Sequence, residues 1–293
     1  MVPTGTFTIR YVPESLVTAP RVLPTMRTCA PTSGRSVPRS VTRPVMVPVA
    51  CASAGEAHAS AGRLSAAREA LEQALDTARQ AHAPDLAAIA TFALGTLDFK
   101  AGSLGVARER LDDALRLFTT VRDEAKRVAV LLVTGHVARE DDRIDDAASA
   151  FEMAAAKAAE LDDEASEVAA HASAGLTALD RGDPETAEAR LRRVDELLAT
   201  GTLAPWFAGR ELADVLAVRG AAIAGHTGLA AERFDRALSL AEPNDAFAAA
   251  RLVAECAPVL AGMGVRTVEA TVERVRYAAI ASGFDRLVRK LSP

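Results

Sequence analysis

Aromatic side chains make up only 4% of the 293 residues, with one Trp and two Tyr. A core must therefore be built mainly from aliphatic residues and alanine, within an apolar content of 49%. Lysine is rare as well: of 34 basic residues only Lys100, Lys126, Lys157 and Lys290 are lysines, and Asn244 is the sole asparagine. The three cysteines, Cys29, Cys51 and Cys256, are too far apart for a metal or redox motif. That usage suits a reducing, cytoplasmic location. No run of 18 apolar residues occurs, which excludes a sequence-predicted membrane-spanning helix and a membrane partner. The stretch VMVPVACA (45–52) is too short, and too interrupted by Pro48, to serve as a lipoprotein signal.

Charge is unevenly spread. Residues 1–50 hold six Arg against one acid, Glu14, whereas the rest holds 28 basic against 38 acidic residues. An acidic body lacks the basic face that nucleic-acid binding requires, so no nucleic-acid partner is expected. Residues 1–44 carry seven of the 14 prolines, a density that blocks helix and central strand alike. Three readings stay open for this segment: disorder, a start codon assigned too early with Met26 or Met46 as later starts, and a targeting or binding tail.

What is abundant is repetition. Gly55, Gly95, Gly135 and Gly175 stand 40 residues apart. Each is followed by a turn residue (Gly62, Gly102, Asp142, Gly182), then by Ala67, Ala107, Ala147 and Ala187, then by Leu71, Leu111, Phe151 and Leu191. With 18 glycines in the chain, the glycine matches are informative; self-similarity at a fixed period marks a stacked-repeat architecture. Each unit reads as two helices. In the unit beginning at Pro84, apolar residues recur at helical spacing to Leu97, Gly102 ends the helix, and a second stripe runs through Leu104, Ala107, Leu111, Ala114 and Phe118. A glycine inside a helix costs about 1 kcal/mol relative to Ala, so its recurrence predicts a close approach of a neighbouring helix. The fifth unit fits if about three residues are inserted near LATGTLAPW (198–206), where Trp206 is expected to pack. In the sixth, Gly262 is taken as the turn, which puts Glu255 at the intrahelical glycine position. The tail FDRLVRKL (284–291) reads as a capping helix.

This grammar, best seen in LGTLDFKAGSLGVARERLDDALRLF (94–118), resembles the tetratricopeptide repeat family, with Asp98 where an aromatic is usual. The period of 40 exceeds that family's usual repeat and implies longer helices. The resemblance implies an all-α, right-handed superhelical solenoid of about six antiparallel helical hairpins. The expected organisation is a segment 1–44, a repeat domain 45–283 and a capping helix 284–293.

Signs of catalysis are few. The acidic runs EDDRIDD (140–146) and ELDDEASE (160–167) suit helix starts rather than a calcium loop. The five histidines form no zinc motif, and no phosphate loop or nucleophile elbow occurs. No cofactor, no metal and no enzymatic activity are expected. The family resemblance instead implies a concave groove lined by first helices. Carried over position by position, that lining is Phe92, Thr96, Phe99 and Lys100, then Leu132, His136, Arg139 and Glu140, then Leu176 and Leu179. Spacing independently sets Phe92, Thr96 and Phe99 on one stripe. Beside Lys100 and Arg139 they describe an apolar slot with basic rims, suited to a peptide with apolar anchors and a few acids; a plain core role fits the two phenylalanines equally. The implied function is non-catalytic binding of a protein or peptide, as scaffold or adaptor. One alternative is a regulatory or sensor module of a bacterial signalling or transcription system, whose effector domain would be a separate chain; a second, which no motif in the sequence supports, is an enzyme on an α-solenoid.

Overall fold

In a computed structural model of the chain, residues 63–292 are described; the segment 1–44, Gly55, Gly62 and His58 lie outside them. The described residues contain twelve helices: α1 (Leu64–Gln80), α2 (Pro84–Ala101), α3 (Leu104–Val121), α4 (Glu124–Glu140), α5 (Ile144–Glu160), α6 (Glu164–Asp180), α7 (Pro184–Ala199), α8 (Arg210–Ile223), α9 (Thr227–Ala241), α10 (Ala246–Gly262), α11 (Val268–Ser282) and α12 (Asp285–Lys290).

Helix starts follow from local chemistry. The carboxylates of Asp123, Asp163 and Asp183 accept hydrogen bonds from the backbone N–H of Lys126, Ser166 and Thr186, satisfying donors that a helix N-terminus leaves free. Pro84 and Pro184 occupy first helical positions, where a missing N–H does no harm. The acidic runs straddle helix junctions: Asp145, Asp146, Glu164 and Glu167 fall in first turns as expected, whereas Glu140 and Glu160 end the preceding helices.

Helices alternate between two layers. First helices α2, α4, α6, α8 and α10 touch one another in succession, and each packs on its own hairpin partner among α3, α5, α7, α9 and α11. The second helices bury one stripe each: Ala67, Leu71, Ala74 and Ala78 in α1, Ala107, Leu111, Ala114 and Phe118 in α3, Ala147, Phe151, Ala154 and Ala158 in α5. Burying a Leu or Phe in such a stripe contributes about 1.5–3 kcal/mol. Alanine on either side lets the helices approach closely enough for that residue to reach across.

The repeated glycines lie where this approach is tightest. A Cβ at Gly135 would sit 2.5 Å from the Phe151 ring, and one at Gly175 would sit 2.7 Å from Leu216 of the next first helix. At Gly95 the nearest neighbour is the Leu111 side chain at 3.2 Å, a milder contact. The insertion in the fifth unit is the loop between α7 and α8, with Trp206 half-buried against the core.

One expectation needs correction. The sixth unit turns at Gly264, which holds φ +85°, and Gly262 is still helical. The intrahelical glycine position therefore falls on Ala257, which is buried, and not on Glu255. Two residues of helix is a rotation of about 200°, so Glu255 faces away from the hairpin partner.

Candidate inner-face site

Glu255 points instead to the inner face, where first helices from distant repeats converge. Its side chain, 9% exposed, receives Arg139 at 3.0 Å, Arg219 at 3.2 Å and Lys290 at 3.6 Å. Arg139 and Arg219 also share Asp180, at 2.6 and 3.1 Å. Burial alone would raise the Glu255 pKa, but the surrounding cations, Arg139 first, hold it at about 2. The contact residues stand at different distances before their left-handed turn residues: Arg139 three, Asp180 two, Arg219 six and Glu255 nine. Different turns of the first helices therefore meet at one place on the inner face.

Glu140 forms a second centre. Its carboxylate takes Arg286 Nε at 2.6 Å and Lys290 Nζ at 2.9 Å, and Arg286 also donates to the Glu140 carbonyl oxygen. Burial opposes the charge, and Lys290 and Arg286 outweigh it, so the carboxyl is held below its ordinary range. Both cations belong to α12, which lies against α2, α10 and α11. Its approach is close: a Cβ at Gly102, in the α2–α3 turn, would meet Arg286 Cβ at 3.2 Å.

Between these centres runs a chain of rings from α5 to the tail. Phe151 lies 5.0 Å from His136, His136 stacks on Phe99 at 6.2 Å, Phe99 meets Phe247 at 5.9 Å, and Phe247 meets Phe284 edge-on at 5.2 Å. The Arg251 guanidinium sits over both Phe99 and Phe247, at 5.8 and 4.9 Å. Desolvation, and the nearby charges of Arg251 and Arg139, push the His136 pKa well below its ordinary value, so this ring is a neutral packing group. Glu211 is buried as well; desolvation raises its pKa, and Arg251 at 3.6 Å only partly compensates.

The ten expected groove residues are divided by this arrangement. Phe99, Lys100, His136, Arg139 and Glu140 come together on the inner face. Lys100 is 3.9 Å from Asp245 and over the Phe247 ring at 5.2 Å, so neither Lys100 nor Arg139 is left as an open basic rim. Phe92 instead meets Phe118 of its own hairpin edge-on at 6.3 Å, and the Thr96 hydroxyl donates to the Phe92 carbonyl. Leu176 is buried, and Leu132 and Leu179 pack half-buried against core clusters. None of the ten lines the open cleft of about 780 Å³ between α1, α2 and α3. Asp180, Arg219, Phe247, Arg251, Glu255, Arg286 and Lys290 are additions that sequence reading missed. For Glu255 the sequence held only part of a signal. By the spacing of the earlier repeats, the stripe Val268, Val272, Val275 and Ala279 sets the sixth turn at residue 263, midway between Gly262 and Gly264.

No family model and no curated protein matches the sequence. Solved structures do share the arrangement. A Rap conjugation gene regulator of the plasmid pLS20, solved in complex with the Phr* peptide, matches with a TM-score of 0.58 at 13% identity, over 89% of this chain and 78% of that one. NprR in complex with its cognate peptide NprX gives 0.60 at 12% identity, over 84% and 71%. A putative kinesin light chain from Podosopora anserina, with nearly identical TPR-like repeats, gives 0.51 at 17% identity, over 69% and 98%. The fold is a right-handed tetratricopeptide-like solenoid. Likeness at this level of identity establishes the fold; function has to be argued from the site.

Proposed function

We propose that the chain is a non-catalytic protein- or peptide-binding scaffold, and that the inner face of α2, α4, α6, α8 and α10 is its binding surface. The observation that carries this reading is that the face already holds a short helix, α12, by paired charges and apolar side chains. A peptide laid on a solenoid in this way is a helix-in-groove mode of recognition. Two similar folds were solved with peptides bound, which supports the same reading. The titratable groups of the face have structural partners: His136 lies between rings, Glu140 and Glu255 are matched by cations, and burial pushes the Cys256 thiol up. They are arranged to hold helices together rather than to move protons. No described helix is long and apolar enough to cross a membrane, and we place the scaffold in the cytoplasm.

A second reading has its own support. The likeness to Rap and NprR favours a regulatory or sensor module in which a bound peptide changes how the solenoid meets an effector on a separate chain.

The test is selection of peptides from a displayed random library, followed by hydrogen exchange of the protein with a selected peptide bound. Binding of micromolar order, about −8 kcal/mol, with protection gained on α2, α4, α6, α8 or α10 is expected. Protection confined to α3, α5 and α7 would move the binding surface to the outer layer and end this proposal.

A further inference from the structure

We propose that residues 284–291 are an exchangeable occupant of the inner face, and that the face takes in their place a peptide of the same chemistry. That chemistry is a short cationic amphipathic helix with two cations four residues apart on one side and apolar anchors on the other. The inference rests on the peptide-binding reading and adds what is bound and what keeps the site shut.

Three observations converge. Arg286 and Lys290, one helical turn apart, both reach the Glu140 carboxylate, which has no other cation among the described residues. Glu140 is 12% exposed with α12 in place, so its carboxylate and the two α12 cations cover one another, and departure of α12 strips Glu140 of both counter-charges, which an incoming cation would restore. Phe284, Leu287 and Leu291, at i, i+3 and i+7, are all buried, with Phe284 against Phe247. That is the anchor spacing of a helix seated in a groove.

The tail is also built to leave. Helix α12 has six residues, too few to persist as a helix once undocked. Its connector is Gly283, left-handed at φ +74°. Helix α11 ends in its own cap, where the N–H of Gly283 and Phe284 donate to Ile280 and Ala279. Undocking of Asp285–Lys290 therefore requires no unravelling of α11, and withdrawal of Phe284 loosens only the second of these two cap bonds. The charges on the face disfavour acidic peptides: Lys100 and Arg139 are taken up by Asp245 and by Asp180 with Glu255, and the Glu140 carboxylate, matched here by two cations, repels an acid. This replaces the expected acid-bearing ligand with a basic one.

The probe is a fluorescent peptide GFDRLVRKLS, residues 283–292, titrated by anisotropy against the full chain and against its Arg286→Glu/Lys290→Glu variant. The variant tail is repelled by Glu140 and Glu255, so it should bind the probe at least about tenfold more tightly than the native chain, where the open fraction limits apparent affinity. Adding Glu140→Lys should return binding to the native level or below. A probe with both cations replaced by Glu should not bind. Equal affinities for native chain and variant, or binding to neither, would overturn the proposal. Hydrogen exchange on the native chain decides the matter without any variant. Amides of Leu287–Leu291 should exchange while α10 stays protected, and exchange only together with α10 would show a permanent part of the fold. If library peptides protect the inner helices but the tail peptide never binds, this inference fails and the peptide-binding reading stands.

Discussion

The stretch from α1 to α7 and the stretch from α8 to α12 are built from the same hairpin and differ in regularity. In the first, left-handed residues His82, Gly102, Arg122, Asp142, Asp162 and Gly182 stand every 20 residues. In the second, the within-hairpin turns Gly225 and Gly264 follow at 43 and 39 residues where the first half keeps 40, and further left-handed glycines stand at Gly201, Gly209 and Gly283, off the 20-residue frame. The ion pairs divide in the same way. Asp98 in α2 is held by Arg68 of α1 and Arg110 of α3, its neighbours in the stack. Glu255 in α10 is held by Arg139 of α4, 116 residues away, and Arg286 of α12 reaches back 146 residues to Glu140. Periodicity thus encodes stacking, and departures from it accompany the contacts that close the inner face.

The largest expected effect separates the two kinds of buried carboxylate. Glu255→Ala leaves Arg139 and Arg219, with side chains 10% and 16% exposed, short of a counter-charge in a place water hardly reaches. A loss of about 3 kcal/mol follows, measured by urea unfolding. Asp98→Ala leaves Arg68 and Arg110, about a third exposed, free to turn outward. Its loss should be about 1 kcal/mol. Equal losses would mean that position in the repeat, and not long-range closure, sets the worth of these pairs.

A smaller contrast lies within the regular half. Gly135→Ala forces a Cβ to 2.5 Å from the Phe151 ring, overpacking that typically costs about 1–3 kcal/mol. Gly95→Ala meets only the Leu111 side chain at 3.2 Å, and the better helix propensity of Ala, about 1 kcal/mol, offsets the strain. Thermal melts should show Gly135→Ala well below the native chain and Gly95→Ala close to it.

These contrasts also mark what was legible in sequence. The spacing of Gly95, Gly135 and Gly175, with the alanines and large residues behind them, was enough to place α2 to α7 and to name the close approaches. Phe99, Arg139 and Glu140 were reached because the family resemblance carries its groove positions onto that regular frame. Their partners were not, because Phe247, Glu255 and Arg286 meet them through the pitch of the superhelix, which no local pattern states. A two-residue error in the sixth turn was enough to rotate Glu255 from the inner face to the packing face.

The smallest effect tests the ring chain that joins the halves. His136 is neutral in the folded protein because burial pushes its pKa well down, whereas in the unfolded chain it titrates near 6.5. Below about pH 6.5 the unfolded state therefore binds a proton that the native state refuses, and stability falls as pH falls. Burial and Arg190 lower His171 too, with the same sign. Glu211 runs the other way: burial raises its pKa, so its contribution is present at low pH and lost as pH rises through the folded value. The His136 share is isolated by difference. Between pH 7 and 5.5 the native chain should lose about 1 kcal/mol more than His136→Phe, which keeps a ring between Phe99 and Phe151. An identical pH dependence in both would mean that the imidazole takes up its proton in place, and that the ring chain opens to water where the regular repeats meet the closing helices.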